Sequence, residues 1–328
     1  MKNPSLPVRV RHVVAAIVLS VATISTASAE TAFSKMVVFG DSLNDTGNMV
    51  RLTNGLFPAP PNYAFGRESN GPVWVEYLAN RLGLADKIAN YAVAGAMTKP
   101  APGFPTGNVY SDTFGGLEGT DVSAQVLDYL RDSNGAADPA ALFILEGGSN
   151  DFQNVADPRV IVANLLESLV TLELSGARHI ILVNLPDLGK APRVILGEQS
   201  GVFPPGTAAF VSSVCAQLNQ ALTSSLPLYT SPGVTITIAD AYGFIDEVAA
   251  NPAAFGFVNV QEPFLVFGAG GNPDTWLFWD DLHPTTRGHA IFSGQVVVSL
   301  VRSYSPGQGN VGNGAVNGLN GLVKARGH

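Results

Sequence analysis

Five residue types placed at a few points along this 328-residue chain could do chemistry together. Residues 37–48 read VVFGDSLNDTGN, an apolar run that ends abruptly in Gly40, Asp41, Ser42, Asn44 and Asp45. Much later comes WDDLHPTTRGH, with Asp280, Asp281 and His283 just before Pro284. A serine at the end of a strand becomes a nucleophile when a histidine takes its proton and a carboxylate orients that histidine. An Asp three residues before a His can curl back to accept the imidazole Nδ1–H, leaving Nε2 free for Ser42. Asp280 has that spacing, and its neighbour Asp281 competes for the role. A tetrahedral intermediate also needs hydrogen-bond donors. Gly95, after NYAVAG, can bring its backbone N–H close to a substrate, since it carries no Cβ. Asn150, after LFILEGGSND, offers a side-chain amide, and the Ser42 N–H is a third donor.

A rival chemistry uses the same first block. In haloacid-dehalogenase-type phosphatases a similar Gly-Asp loop helps to hold magnesium, which would give Asp41 and Asp45 to a metal. Those enzymes need an Asp-x-Asp nucleophile pair upstream, and Asp41 is the first aspartate of the chain. Cys-x-x-Cys, His-Glu-x-x-His and a phosphate loop ending in Gly-Lys-Ser/Thr are also missing, so no metal or cofactor is expected. FGAGG at 267–271 reads as a turn. Beyond His283 the other histidines are His12 in the leader, His179 at a strand start, His289 inside a helical pattern and His328 near the end. The expectation is a surface position for His179, and packing or solvent for His289.

The elements that must position these groups are legible as alternating patterns. Five near-continuous apolar runs, 35–39, 88–93, 141–145, 179–185 and 234–239, look like strands buried on both faces of a parallel sheet. Helical patterns lie between them: 72–83 opening at Pro72, 121–132 from Asp121, 158–174 with Asp157 as N-cap, 207–225, and a last helix from Pro284 to about Arg302. This alternation predicts an α/β, doubly wound sheet of about five parallel strands flanked by helices, in one domain spanning 30–305. Two long loops, 99–119 and 251–279, are candidates for lining a cleft. Their aromatics Phe104, Phe114, Phe264, Phe267, Trp276, Phe278 and Trp279 suit either lipid and sugar contact or packing.

Lys2, Arg9 and Arg11 precede an apolar run from Val13 to Ile24 and then Ala27-Ser28-Ala29, which reads as a signal peptide over 1–29 and a secreted or periplasmic protein. The run is too short for a membrane span. Residues 306–328, rich in Gly and Asn, read as a flexible tail. The net charge is −8, and losing the leader's three basic charges makes the remainder more acidic still. Nucleic acid and anionic membrane surfaces are therefore poor partners. The single cysteine, Cys215, excludes an internal disulfide and is expected as a small buried filler.

The blocks FGDSLNDTGN, AVAG, GGSND and DDLHP, in that order, resemble the GDSL (SGNH) hydrolase family. GRESNGPVWVEYLANRLGL (66–84) is similar to its plant-type and bacterial lecithinase/haemolysin-like members. The resemblance implies a flavodoxin-like sheet, no metal, and hydrolysis of carboxylic esters. Carried over, it gives Ser42, Asp280 and His283 as catalytic and Ser42, Gly95 and Asn150 as the oxyanion hole. Asn44 departs from the Thr or Ser often found there, with no catalytic consequence expected. The absence of Gly-x-Ser-x-Gly sets the chain apart from ordinary α/β-hydrolases, and Asp41 is expected to buttress the loop. The expected partner is a small-molecule or lipid ester, or an acetylated carbohydrate. An acyltransferase on the same site and a non-catalytic carbohydrate- or surface-binding protein are the alternatives.

Overall fold

A computed structural model describes residues 32–155 and 157–304. The expected leader and Gly/Asn-rich tail lie outside the described residues. In chain order the elements begin with β1 (Met36–Phe39), α1 (Asn48–Leu52), α2 (Trp74–Leu82), β2 (Ile88–Asn90), α3 (Ser111–Phe114), α4 (Val122–Asp132) and β3 (Leu142–Leu145). They continue through α5 (Ser149–Asn154), α6 (Val160–Leu174), β4 (His179–Val183), α7 (Pro192–Gln199), α8 (Thr207–Tyr229) and β5 (Thr235–Ala239). The last are α9 (Ala241–Ala250), α10 (Phe264–Phe267) and α11 (Thr286–Ser303).

The five strands form one parallel sheet in the order β2-β1-β3-β4-β5. This is the flavodoxin-like order, whose direction of winding reverses between β1 and β3. Side chains of a strand alternate between faces, and here both faces are covered. Met36 and Val38 join Leu142, Ile144, Ile181 and Val183 under α2, α9 and α11. Val37 and Phe39 join Phe143, Leu145, Ile180 and Leu182 under α4, α6 and α8. Double-sided burial is the reason the strands read as unbroken apolar runs.

The ends of the elements are where the structure departs from the sequence reading. The run 88–93 gives only three strand residues, because the Asn90 side chain turns back to accept the Ala92 N–H at 2.9 Å. The backbone still follows β1 as far as Val93, which donates to the Gly40 carbonyl. Helix α2 starts after Pro72, at Trp74, with Glu76 accepting the Val73 N–H. Helix α11 starts at Thr286, two residues beyond Pro284, because the Thr285 hydroxyl accepts the Gly288 N–H and caps it. Asp157 is not the cap of α6: its carboxylate instead receives the Arg159 guanidinium and backbone N–H, and the helix begins at Val160. Helix α8 runs to Tyr229 through Pro227, longer than expected. The two long loops contain α3 and α10.

His179 is not a surface residue. It is partly buried, its Nδ1 lies 2.8 Å from the Tyr304 hydroxyl, and its ring meets Phe33 edge-on at 5.4 Å. Cys215 is fully buried in α8, and burial pushes its thiol up to about 11.

Candidate active site

The first strand delivers Ser42 into a turn fixed from three sides. The Asp41 carbonyl accepts the Asn44 and Asp45 N–H groups, and the Asp41 carboxylate accepts the Leu43 N–H at 3.0 Å. From α4, Gln125 donates to the Gly40 carbonyl and accepts the Gly40 N–H. From the end of β3, Glu146 accepts the Asp41 N–H at 3.1 Å and the Asn44 amide at 3.1 Å. Asn44 is fully buried, and its carbonyl oxygen accepts the Trp74 indole N–H at 2.6 Å. It therefore fastens the serine turn to both β3 and α2, a structural role that the sequence reading did not assign. Asp41 buttresses the turn as expected. Gly40 is required for space, since a Cβ there would overlap the Asn44 amide and the Glu146 carboxylate.

The partner of Ser42 comes from 241 residues further on: His283 Nε2 lies 2.8 Å from Ser42 Oγ. Asp280 folds back on its own turn, its Oδ1 accepting the Leu282 and His283 N–H groups at 2.9 and 2.7 Å. The same carboxylate lies 2.8 and 3.0 Å from His283 Nδ1. The Tyr63 hydroxyl donates to Asp280 Oδ2 at 2.8 Å. Asp281 points elsewhere and forms a two-pronged pair with Arg193 at 2.9 and 3.0 Å. Burial works against charge on Asp280, but His283 and the turn's N–H groups outweigh it and hold the carboxyl at about 2. For His283, burial favours the neutral ring. The charges of Asp280 and then Glu68 overcome it, and the imidazole is pushed up to about 10.

Two backbone donors near Ser42 are left open. Among the described residues neither the Ser42 nor the Gly95 N–H has an acceptor, although both residues are buried. Buried N–H groups without partners are rare. Gly95 has φ +78°, and a Cβ would run into the Tyr110 ring and Asn108, so only glycine fits. Asn150 stands in the first turn of α5, where its amide donates to the Ala96 carbonyl at 3.0 Å and to Asp41 Oδ2 at 3.2 Å. It thereby ties together the loops after β1, β2 and β3, and both of its amide hydrogens are engaged.

A cavity opens beside these groups. Ser42, His283 and Asn150 line it together with apolar residues that include Leu43, Pro186, Leu188, Ile245 and Leu282. Gly95 is not part of that lining. Of the loop aromatics only Phe278 reaches it. Phe264 instead stacks on Trp279 at 5.5 Å and meets Trp276 edge-on, while Phe114 packs on Phe57 and Tyr110. A second apolar cavity shares Leu43, Pro186 and Ile245 and runs back to Trp74, Phe292 and His289. His289 is buried, and burial followed by the charge of His283 pushes it down to about 3, so it stays neutral.

One neighbour of His283 was missed. Glu68 is buried, and its Oε2 lies 3.5 Å from Nε2. Next to Arg67 in the sequence, it looks like one half of a surface ion pair. The structure gives Arg67 to Glu76 instead, at 2.6 and 2.9 Å, and turns Glu68 inward. Glu68, Asp280 and His283 bring ligand-type atoms within 4.8 Å of one another. Both ring nitrogens of His283 already face Asp280 and Ser42, so a cation would have to displace one of them.

The GDSL-like Lipase/Acylhydrolase family model matches residues 36–296, which include every residue of the constellation just described. This chain belongs to the GDSL lipase/acylhydrolase family. Among curated relatives, thermolabile hemolysin of Vibrio parahaemolyticus is 31% identical over 78% of this GDSL-family chain and 61% of the hemolysin. Phosphatidylcholine-sterol acyltransferase of Aeromonas hydrophila is 27% identical over 86% of this chain and 94% of that protein. Esterase EstA of Pseudomonas aeruginosa is 27% identical over 86% of this chain, which spans 49% of EstA. As in the sequence reading, the four GDSL-type blocks of this chain fall after β1, after β2, after β3 and before α11. These are carboxyl ends of strands and the helix that closes over them, where doubly wound sheets place their ligands.

Proposed function

We propose that this chain is an exported carboxylic ester hydrolase that works through a serine acyl-enzyme. The carrying observation is the line from Ser42 Oγ to His283 Nε2 at 2.8 Å, continued from Nδ1 to Asp280 at 2.8 Å. In this reading His283 takes the Ser42 proton as Oγ attacks the ester carbonyl. The oxyanion accepts the open Ser42 and Gly95 N–H groups. Asn150 adds a third hydrogen bond by releasing its longer contact, the one to Asp41. The imidazolium then gives its proton to the departing alcohol, and water repeats the sequence to release the acid. Asp280 holds the tautomer and stabilises the imidazolium. The apolar lining from Leu43 to Leu282 suits the acyl part of a lipid or other small ester, with acetylated carbohydrate as the alternative. Export rests on the leader pattern in residues 1–29, and no helix among the described residues is long and apolar enough to cross a membrane.

A serine-directed fluorophosphonate is expected to label the protein once, on Ser42, as read by peptide mass spectrometry. Label elsewhere, or none, would overturn the assignment. Excess EDTA is expected to leave ester hydrolysis unchanged, because no step needs a cation and His283 has no free nitrogen to hold one. Loss of activity restored by an added divalent ion would reverse that view.

The relation to an acyltransferase covering 94% of that relative favours one further reading, transfer of the acyl group to an alcohol. Product analysis with an added alcohol decides it: a transesterified product exceeding free acid favours transfer, and free acid alone favours hydrolysis.

A further inference from the structure

Glu68 is a buried carboxylate that the proposed reaction does not use. It is 4% exposed, and its Oε1 is enclosed without any hydrogen-bond partner. Its Oε2 receives only a long contact, 3.4 Å, from the Tyr110 hydroxyl. Its one ion-pair partner within 4.0 Å among the described residues is His283, through Nε2. A buried acid left this short of hydrogen bonds costs stability, which points to a function near the group it faces.

The groups around it are all acidic or neutral apart from that ring. Asp280 lies on the same turn as His283, and Asp41 and Asp45 lie on the serine turn. Tyr63 and Tyr110 complete the surroundings. The nearby cations are committed elsewhere, Arg67 to Glu76 and Arg193 to Asp281. His283 therefore has a carboxylate on each side, Asp280 at Nδ1 and Glu68 at Nε2.

Resting on the reading of His283 as the base, we propose that Glu68 is a positioning residue that competes with Ser42 for His283 Nε2 and sets the pH at which that nitrogen can accept the serine proton. The geometry gives the direction. An anion 3.5 Å from Nε2 favours the nitrogen when it carries a proton and opposes the bare lone pair that attack requires. Ionised Glu68 thus holds back the resting enzyme between the pH at which it loses its own proton, about 7, and the raised range of His283, about 10. Once Ser42 has given up its proton, the same charge stabilises the imidazolium. The shifts agree in sign. Burial raises Glu68 to about 7 despite His283, and Glu68 is the second carboxylate that lifts His283 above its ordinary range.

The test is Glu68→Gln, which keeps shape and removes charge. With an opposite charge gone from contact distance, the acid limb of the kcat/KM profile is expected to move down by roughly 1–3 pH units. The sign follows from the base form being the active one: a lower His283 pKa leaves the ring unprotonated further into acid. A second measurement needs no turnover. In the Ser42→Ala protein, the His283 ring is titrated by NMR with and without Glu68→Gln, and its midpoint is expected to fall by a similar amount. A limb and a midpoint that stay in place in the folded variant would overturn the proposal, because a merely structural Glu68 would change rate or stability but not these pH values. Failure of the underlying reading shows separately, as full ester turnover in Ser42→Ala itself.

Discussion

Ser42→Ala is expected to lower ester turnover at least about a thousandfold while leaving a folded protein. The effect is large because the attacking oxygen is lost outright, and what remains is binding together with the open N–H donors of Ser42 and Gly95. The fold should survive because little else depends on that hydroxyl. Its hydrogen bond is to His283, whereas the turn itself is held by Asp41, Asn44, Gln125 and Glu146. Initial rates on a short-chain ester, read beside circular dichroism, check both halves. A variant within tenfold of the parent in activity would remove Ser42 from the chemistry.

The adjacent aspartates should separate sharply. Asp280→Asn is expected to lower kcat by roughly a hundredfold or more, since an amide at Nδ1 no longer enforces the tautomer or supports the imidazolium. Its carboxyl is held at about 2, so it is ionised throughout any ordinary assay and the loss should persist across the pH range. Asp281→Asn removes only a pair with Arg193 in which both side chains are nearly half exposed, 49% and 42%. Such a pair contributes about 0.2–1 kcal/mol, so the cost should stay within roughly tenfold. Parallel kcat and KM measurements on the two variants decide the matter. If Asp281→Asn is the crippled one, Asp281 orients the ring.

The fold was largely legible in this sequence, for one physical reason. Strands covered on both faces need apolar residues at every position, so 35–39, 141–145 and 179–185 stand out without any alternation. Element ends were less legible, because they depend on single side chains. Thr285 rather than Pro284 caps α11, and Asp157 turns to Arg159 instead of capping α6. The short helices α5 and α7 escaped because each sits close behind a strand or turn and shows too few turns to establish a period. Ser42, Asp280 and His283 could be named because their types and spacing are chemically restrictive, and the structure brings them together. Glu68 and Glu146 could not. Whether a lone glutamate faces inward is set by what its neighbours find to pair with, as Arg67 finds Glu76, and no local pattern carries that information.

The two halves of the site belong to different parts of the chain, and they are fastened differently. Ser42, Gly95 and Asn150 ride on the sheet, tied to one another by Asn150. The His283 turn is moored to the segment before α2: Ser69 donates to the Pro284 carbonyl, Asn70 accepts the Thr286 N–H, and the Thr286 hydroxyl donates to the Pro72 carbonyl. During synthesis the half that carries Ser42, Gly95 and Asn150 is made more than a hundred residues before His283. On the proposed reading, a chain stopped before residue 283 carries a serine that nothing deprotonates. On that reading competence arrives only when the His283 turn docks on the segment before α2, and a chain not yet grown that far is inert toward esters.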